Sequence, residues 1–253
     1  MRKIKLVLQY DGTDFAGFQI QPDQPTIQGA LERSLRAVVG KFDHFGAAAR
    51  TDAGVHALGQ VIAFTAENPI PLHNLIRAMN EHLPQAINIL DAEEVPQSFR
   101  ARQSAIGKLY TYRIWNRETG APYITRYAWH VRQPWLNLTW MRLGASYLKG
   151  RHDFAAFRSA GSVVQNTVRN ITDFDLQRVD DTIEARIQGN GFLYHMVRNI
   201  MGALVEVGGG RRTAEEMEEV LASRDRTRLG PPAPPEGLWL TRVFYPEPDA
   251  DPN

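Results

Sequence analysis

The spacing of apolar and polar positions divides the chain into two stretches, each of which mixes strands with helices. In the first stretch, apolar residues at every second position predict strands, and apolar residues at helical spacing predict helices. Thr26 is placed to cap the first helix, because a threonine hydroxyl accepts hydrogen bonds from the free N–H groups of a first turn. The predicted order is β-α-β-β-α-β, with strands at 4–10, 45–49, 60–65 and 87–95 and helices at 26–39 and 71–81.

The second stretch follows a basic join at 100–108. Alternating residues at 171–176 and 182–187 predict a hairpin that turns at 179–181. A helix over 192–207 is expected to end at the glycine run 208–210, because glycine readily adopts the left-handed conformation that closes many helices. The remaining elements are strands at 109–115 and 238–245, helices at 139–148 and 214–223, and a stiff, proline-rich surface connection at 231–235.

These elements predict an α+β protein with two domains of ferredoxin-like element order, mainly antiparallel sheets and a cleft between them. A chain of 253 residues is longer than the roughly 100 to 200 residues of a common single domain. We place the N-terminal domain at 1–102, the C-terminal domain at 103–246 and a disordered tail at 247–253. A cleft between two domains is a usual position for a binding site.

Composition excludes several classes of protein. Apolar residues make up 43% and charged residues 23% of the chain, as in globular proteins. The chain has no cysteine, which excludes disulfides, thiolate nucleophiles and sulfur-ligated zinc. The N-terminal apolar run is short and interrupted by Lys5, and no stretch approaches the roughly 18 apolar residues of a membrane span. We therefore expect a cytoplasmic protein without a membrane partner.

Charge is unevenly distributed, although the formal net charge is only +1. The basic segment, residues 100–169, has twelve Lys and Arg residues but only two acidic residues, Glu118 and Asp153, so it carries +10 and the remainder −9. It also holds eleven of the 24 aromatic residues. Basic and aromatic side chains together suit RNA, a polyanion whose bases stack. The alternative is that the aromatic residues belong to the core and the arginines form a solvated face.

A polar loop, Ala49-Arg-Thr-Asp-Ala-Gly-Val-His-Ala57, stands between two apolar strands. Asp52 is followed by Ala53-Gly54, which favours a tight turn that presents the carboxylate. The alternative is an Asx-turn, in which the Asp52 side chain only accepts backbone hydrogen bonds. The spacing alone does not separate these two interpretations.

A second polar loop, at 10–18, contains Asp11 and Asp14. Neither spacing matches a metal-binding loop, so we expect turn chemistry together with packing of Phe15 and Phe18. None of the seven histidines forms an H-x-x-x-H pair. The sequence therefore predicts no metal site.

The predicted helix over 192–207 carries an isolated arginine, Arg198. Its positions separate into an apolar stripe at Phe192, Met196, Ile200 and Ala203 and another face with His195, Arg198 and Asn199. At helical spacing Arg198 has only apolar or uncharged neighbours, so no local carboxylate pairs with it. We expect its partner in the other half of the chain.

Six separated motifs occur in the order typical of tRNA pseudouridine synthases of the TruA type, and the chain resembles that family from Ile4 to Tyr245. They are Tyr10-Asp-Gly-Thr-x-Phe-x-Gly-Phe18, Thr26-Ile-Gln-Gly29, Arg50-Thr-Asp-Ala-Gly-Val-His-Ala57, Lys108-x-Tyr-x-Tyr-Arg113, His152-Asp-Phe-x-x-Phe157 and Phe192-x-x-x-Met-Val-Arg-x-x-x-Gly202. Ala49 departs from the pattern, since the family usually has glycine before Arg-Thr-Asp.

The resemblance implies an isomerase that converts uridine to pseudouridine at positions 38, 39 and 40 in the anticodon stem-loop of tRNA, without cofactor or metal, as a homodimer. It assigns Asp52 as the nucleophile, Tyr110 as the aromatic residue against the target base, and Arg198 as the partner of Asp52. Arg50 is similar to the family residue that helps hold the flipped nucleotide. Further RNA contacts are expected from Lys108, Arg151, Arg158 and Arg169.

Two other functions compete with this interpretation. A non-catalytic RNA-binding protein on the same scaffold would explain the basic segment but would leave Asp52 and Arg198 without a task. A glycoside hydrolase that used Asp52 with Asp11 or Asp14 would need two neighbouring carboxylates and would release a free sugar or base.

Overall fold

The computed structural model describes residues 1–132, 135–161 and 164–246, so the predicted disordered tail lies outside the described residues. The fold is α+β with mainly antiparallel strand pairing, as predicted. Within the described ranges, no helix is both long enough and apolar enough to span a bilayer. Contacts divide the chain into a first unit, Met1–Ile106 together with the residues from Trp239 onward, and a second unit, Gly107–Leu238.

The helices and strands are as follows. In chain order they are β1 (Arg2–Tyr10), α1 (Ile27–Val39), β2 (Phe42–Ala47), β3 (His56–Ala66), α2 (Leu72–His82), β4 (Ile87–Val95), β5 (Gly107–Trp115), α3 (Pro122–Thr125), β6 (Trp129–His130), α4 (Leu138–Ser146), β7 (Gly150–Asp153), β8 (Val168–Val179), β9 (Thr182–Gly189), α5 (Met196–Gly208), α6 (Glu216–Ser223) and β10 (Leu238–Phe244).

The first unit has the predicted β-α-β-β-α-β order, to which β10 is added. Its strands lie in the order β4-β1-β3-β10, and β2 also pairs with β3. Alternation along β1 buries Ile4, Leu6 and Leu8 completely on one face. Thr26 caps α1 as predicted, with its hydroxyl accepting a hydrogen bond from the N–H of Gly29 at 3.2 Å. The pattern at each of these positions therefore identified the element correctly.

β10 belongs to the first unit because it pairs in parallel with the start of β3. Trp239 lies opposite His56 and Leu240 opposite Ala57. The sequence prediction divided the chain at 102/103 and grouped this strand with the C-terminal domain. Alternation along a strand shows which of its faces is buried, but it does not show which distant strand lies beside it.

The second unit contains an antiparallel sheet in the order β5-β9-β8-β7, with the short β6 parallel to β5. The predicted hairpin is confirmed as β8 and β9, with Val179 paired to Thr182 across a tight turn in which Asp180 has a φ of 52°. The sequence did not predict α3, β6 or β7. These elements have four residues or fewer, too few to show a full helical or strand period.

α5 begins later than the pattern predicted. His195 has a φ of 58°, in the left-handed region, so the regular helix starts only at Met196. Phe192 and His195 therefore precede the helix, and their predicted places on its faces are wrong. Asn199 was also expected on the polar face, but it is only 2% exposed and its amide donates to the carbonyl of Phe157 at 2.8 Å.

The proline-rich connection is packed against the second unit and is not only a surface link. Ala233 is buried, and its N–H donates to the carbonyl of Arg198 at 3.0 Å. The hydroxyl of Tyr112 donates to the carbonyl of Pro234 at 2.7 Å. Burial raises the pKa of Tyr112 well above its ordinary value. This segment is therefore hydrogen-bonded to both β5 and α5.

Candidate active site

Asp52 lies in the loop between β2 and β3, on a tight turn. The N–H of Val55 donates to the carbonyl of Asp52 at 3.2 Å, and Gly54 has a φ of 76°, which glycine adopts without strain. The predicted turn at Asp-Ala-Gly is confirmed. Asp52 is half-buried there.

The residue before Asp52 is fixed by a buried hydrogen-bond network. The hydroxyls of Thr51 and Tyr10 lie 2.7 Å apart, and the amide of Gln60 donates to Tyr10 at 3.2 Å. Burial raises the pKa of Tyr10 to about 12, so its hydroxyl keeps its proton at neutral pH. The network joins the end of β1 and the middle of β3 to the Asp52 loop, which is thus tied to the sheet.

Gln60 also binds both backbone groups of Ala49. Its Oε1 accepts from the N–H of Ala49 at 3.2 Å and its Nε2 donates to the Ala49 carbonyl at 2.9 Å. Among the described residues, non-glycine positions with positive φ are Asp23, His44, Asp180, His195 and Arg224, and Ala49 is not one of them. The alanine that replaces the expected glycine therefore causes no backbone strain.

The polar loop at 10–18 packs directly against the Asp52 loop. A Cβ atom on Gly12 would lie 2.0 Å from the carbonyl oxygen of Val55, and one on Gly17 would lie 3.1 Å from that of Thr51. Phe18 donates its N–H to the same Thr51 carbonyl at 3.0 Å. Only glycines permit this approach, so the loop at 10–18 forms a close-fitting support for the Asp52 loop.

Asp11 acts in the turn, as predicted. Its Oδ1 accepts hydrogen bonds from the N–H of Thr13 at 3.0 Å and from the Thr13 hydroxyl at 2.6 Å. The neighbouring N–H of Gly12 donates to Nδ1 of His56 at 3.1 Å, which ties this turn to β3. Across 1–132, 135–161 and 164–246, no group of three or more His, Asp or Glu side chains is arranged to hold a metal ion.

Arg50 is exposed and lies two positions before Asp52. Its side chain lines a cavity of about 420 Å³ in the first unit, which Phe18 and Gln28 also border. The structure thus places Arg50 and Asp52 in the same loop, as the sequence requires. Arg50 therefore connects the Asp52 loop to this cavity.

Tyr110 is on β5 of the second unit, opposite Ile187 of β9. It is half-buried, and its ring meets the ring of Phe192 edge to face, with 5.1 Å between centroids. Such a contact fixes the plane of the tyrosine ring. Lys108 lies two residues earlier on the same strand, and side chains two apart on a strand point to the same face.

Arg198 is in the first turn of α5 and is anchored through its Nε, which donates to the carbonyl of Ala233 at 2.6 Å. The N–H of Ala233 in turn donates to the Arg198 carbonyl at 3.0 Å. The reciprocal pair sets the direction of the Arg198 side chain. The segment before the helix is also ordered, since the rings of Tyr194 and His195 stack at 3.8 Å.

The other predicted RNA contacts differ in their surroundings. Arg151 is exposed on β7. Arg158 donates to the carbonyl of Val164 at 2.5 Å, and Arg169 donates to the carbonyls of Asn166 and Val168 at 2.9 and 2.6 Å. These bonds anchor both side chains to backbone carbonyls at 164–168.

The positive charge of the basic segment is partly compensated by acids that lie beyond it in sequence. Ion pairs within the second unit join Arg113 to Glu184 at 3.2 Å, Arg117 to Asp181 at 2.9 Å and Lys149 to Asp173 at 3.2 Å. The acidic partners lie on β8, on β9 or in the turn between them. The value of +10 therefore overstates the local field.

The chain matches the family model for tRNA pseudouridine synthase over residues 6–102 and 145–246. This chain belongs to the tRNA pseudouridine synthase family. Curated relatives named tRNA pseudouridine synthase A include one from Myxococcus xanthus, 44% identical over 97% of this chain and 92% of its own length. Another, from Thermoanaerobacter sp. (strain X514), is 42% identical over 97% of this chain and 100% of its own length.

Solved structures give a much weaker likeness. The archaeal box H/ACA sRNP Nop10-Cbf5 complex matches with a TM-score of 0.35 and 12% identity, over 81% of this chain and 43% of that chain. A likeness this weak has no bearing on the function of the chain.

Sequence reasoning missed several residues that shape the candidate site. Gln60, Tyr10 and Thr51 form the network behind Asp52, and a polar glutamine within an otherwise apolar strand is a signal for such a network. The cavity beside Arg50 also went unpredicted. Residues far apart in the chain line it, so no local pattern indicates it.

Proposed function

We propose that this chain isomerises uridine to pseudouridine at positions 38, 39 and 40 in the anticodon stem-loop of tRNA. Membership of the tRNA pseudouridine synthase family supports the reaction class. The observation that carries the proposal is the position of Asp52, a half-buried carboxylate on a turn that two neighbouring segments hold rigidly. A non-catalytic RNA-binding protein would have no need of such a turn.

The reaction breaks the bond between N1 of uracil and C1′ of the ribose and forms a bond between C5 and C1′. The proton on C5 leaves and N1 gains one, so atoms balance without a cofactor. A carboxylate can attack a carbon, form an ester and later depart, as in retaining glycosidases. In our proposal Asp52 is this nucleophile, and its attack on either C1′ or C6 satisfies the balance.

Tyr110 and Arg198 have distinct proposed roles. The ring of Tyr110, whose plane Phe192 fixes, provides a flat face for uracil while it turns, and its hydroxyl is available for the C5 proton. Arg198 supplies a permanent positive charge as the partner of the Asp52 carboxylate, because a guanidinium keeps its proton at all working pH values. The bond to Ala233 limits the directions in which that charge can point.

The target base must leave its stack before it can react, at a cost of a few kcal/mol. Contacts to phosphates offset this cost. We propose that Arg50 holds the flipped nucleotide, and that Lys108, Arg151, Arg158 and Arg169 contact the backbone of the anticodon arm. We also propose a homodimer in the cytoplasm, which the family resemblance supports. Sedimentation of the purified chain with and without tRNA tests the oligomeric state.

The decisive test compares the variants Asp52→Asn and Asp14→Asn. Asp14 is an acidic residue of the loop at 10–18, which packs against the Asp52 loop. Tritium release from tRNA labelled at uracil C5 should fall to background for Asp52→Asn, because the amide is not a nucleophile, and should stay near the wild-type rate for Asp14→Asn. Binding of tRNA should change less than about threefold in both, since neither carboxylate attracts phosphate. Turnover by Asp52→Asn would exclude this residue as the nucleophile.

A second measurement, nucleoside analysis, separates the two rival functions. Nucleoside analysis of treated tRNA should show pseudouridine and no loss of total uracil-derived base. An RNA-binding protein would leave the tRNA unmodified, and a glycoside hydrolase would release free uracil. Either result would overturn the proposal.

A further inference from the structure

The cavity beside Arg50 has walls that suit a nucleotide. It occupies about 420 Å³ within the first unit, between β1, β2 and the loop after β4. We call it the basic pocket and define it by Lys3, Phe45, Arg50, Phe99, Arg100 and Arg102. The described residues that line it include no Asp or Glu. Cationic and aromatic side chains without a carboxylate favour a ligand with both negative charge and a flat apolar face.

Lys3 is the most unusual member of the basic pocket. It is only 3% exposed, yet its ammonium makes a long 3.4 Å contact with the carbonyl of Gln97. Burial, followed by the positive charge of Arg100, lowers the pKa of Lys3. A buried ammonium next to a second cation is unfavourable unless an anion approaches both. The pocket is therefore built to gain from a bound anion.

The loop that carries Arg100 and Arg102 is ordered in advance. The N–H of Arg100 donates to the Ser104 hydroxyl at 3.0 Å, and the N–H of Ser104 donates back to the Arg100 carbonyl at 2.8 Å. Tyr245 donates its hydroxyl to the carbonyl of Ala101 at 2.6 Å, and its ring packs on that of Phe99 at 5.0 Å. A fixed loop lowers the entropy cost of binding.

The opposite wall contains a bulge in β2. The register with β3 shifts between Asp43 and Gly46, and His44 has a φ of 53°, in the left-handed region that histidine adopts more often than most residues. Bulges redirect side chains and occur often beside functional sites. Here the bulge turns His44 and the half-buried Phe45 towards the cavity. The bulge therefore shapes this wall of the cavity.

We infer that the basic pocket binds one nucleotide of the RNA strand adjacent to the nucleotide in the active site, with its phosphate against Lys3, Arg100 and Arg102 and its base against Phe45 or Phe99. The inference rests on the proposed function for the identity of the RNA as tRNA. Arg50 favours a continuous strand over free phosphate, because it lines the pocket and lies two positions before Asp52. A strand that passes from Asp52 to the pocket remains in contact with Arg50.

The first experiment measures how tRNA affinity depends on salt for the double variant Arg100→Gln/Arg102→Gln. Loss of two phosphate contacts should reduce the log-log slope by about 1.5 and raise KM, while kcat at saturating tRNA stays within about twofold. Arg77→Gln is the matched control, because Arg77 lies on α2, is paired with Glu81 and is outside the pocket. Its slope should equal that of the wild type.

Two further variants distinguish binding from a structural role. Phe45→Leu keeps an apolar side chain but removes the stacking face, and should weaken tRNA binding about fivefold or more. Lys3→Met should weaken binding while leaving the melting temperature equal to or above that of the wild type, since it removes a buried charge. If Lys3 were only structural, Lys3→Met would melt lower with unchanged affinity.

An unchanged salt slope in the double variant, or unchanged affinity in Phe45→Leu, would overturn the inference. Displacement of tRNA by millimolar inorganic phosphate at matched ionic strength would assign the pocket to free phosphate and would also overturn it. Failure of the proposed isomerase function can be distinguished from failure of the pocket inference. If the wild type forms no pseudouridine but the double variant still flattens the slope, the pocket remains an RNA site and the isomerase proposal fails.

Discussion

The hydroxyl oxygen of Tyr10 lies 2.7 Å from that of Thr51, the residue directly before Asp52. Tyr10 is the last residue of β1 and is 2% exposed, so the hydrogen bond is shielded from water. The amide of Gln60 approaches the same hydroxyl from β3 at 3.2 Å. Two strands of the sheet thus determine the position of Thr51, and with it the base of the proposed catalytic residue.

Tyr10→Phe is therefore expected to reduce both stability and activity. It leaves the buried Thr51 hydroxyl and Gln60 amide without one partner, which costs about 1–3 kcal/mol of unfolding free energy at pH 7. The rate constant kcat should fall because the Asp52 loop is less firmly held. Urea unfolding and tritium release measure the two effects, and a variant with wild-type values for both would show that the network has no mechanical role.

The same variant should have a different pH dependence above pH 10. The pKa of Tyr10 is raised to about 12 in the folded protein by burial, against about 10 in the unfolded chain. The folded state therefore holds the proton more tightly, and its stabilisation is complete below pH 10 and is lost as the pH rises towards 12. The unfolding free energies of wild type and Tyr10→Phe should converge over this range by about 2–3 kcal/mol. If the unfolding free energies of the two proteins changed in parallel with pH, the raised pKa of Tyr10 would be contradicted.

Gly12→Ala should disrupt the support beneath the Asp52 loop. The new methyl group would lie 2.0 Å from the backbone oxygen of Val55, and backbone cannot rotate away as a side chain can. We expect a loss of about 3 kcal/mol or more, seen as a lower melting temperature or insolubility. Gly46→Ala is the control, since no atom lies within 4 Å of its added Cβ. Equal melting temperatures for the two variants would show that the two loops separate without cost.

Arg198→Lys should retain part of the activity that Arg198→Met loses. Methionine removes the charge, and loss of one electrostatic contact to the reacting groups typically lowers kcat by about 10²–10³-fold. In Arg198, Nε donates to the Ala233 carbonyl and the other guanidinium nitrogens carry charge to a different position. Lysine keeps the charge, but its single nitrogen cannot occupy both positions. Single-turnover rates at saturating tRNA test the order. Full activity in the lysine variant would show that the anchor to Ala233 is dispensable, and full activity in the methionine variant would remove Arg198 from the mechanism.

The arginines of the basic segment are expected to differ according to their ion pairs. The triple variant Arg151→Gln/Arg158→Gln/Arg169→Gln should flatten the salt dependence of tRNA binding by about two log-log units if most of these side chains contact phosphate. Arg117→Gln should change it little, because Asp181 already compensates that charge at 2.9 Å. Filter binding between low and moderate salt gives both slopes. An unaltered slope in the triple variant would mean that the three arginines form only a solvated face.

The fold could be predicted from sequence wherever a local pattern is long enough to identify an element. The predicted limits of β4 and the predicted cap at Thr26 agree with the structure, because alternation and capping are local properties. The start of α5 did not match, since nothing in the apolar pattern shows that His195 adopts a left-handed φ of 58°. Trp239 of β10 and His56 of β3 pair across 183 positions of sequence, a separation that no local pattern covers.

The candidate site was predictable to a similar extent. The turn at Asp52 followed from Asp-Ala-Gly, because that sequence has a local conformational preference. The basic pocket did not, since Lys3, Phe45 and Arg102 meet only after three separate segments have folded together. Net charge along the chain was misleading for a related reason. Arg113 finds its acidic partner at Glu184, on a strand whose position sequence order does not reveal.

The position of β10 in the first unit has a consequence for synthesis of the protein. Residues 1–106 leave the ribosome early, but the strand that completes their sheet follows more than 130 residues later, on the order of ten seconds at ordinary translation rates. Until then the edge of β3 at His56 lacks its partner, and the ring of Trp239 cannot stack on His56 at 4.4 Å. The sheet beside the Asp52 loop is therefore completed only after β10 has been synthesised, so a shorter nascent chain lacks this support for the loop.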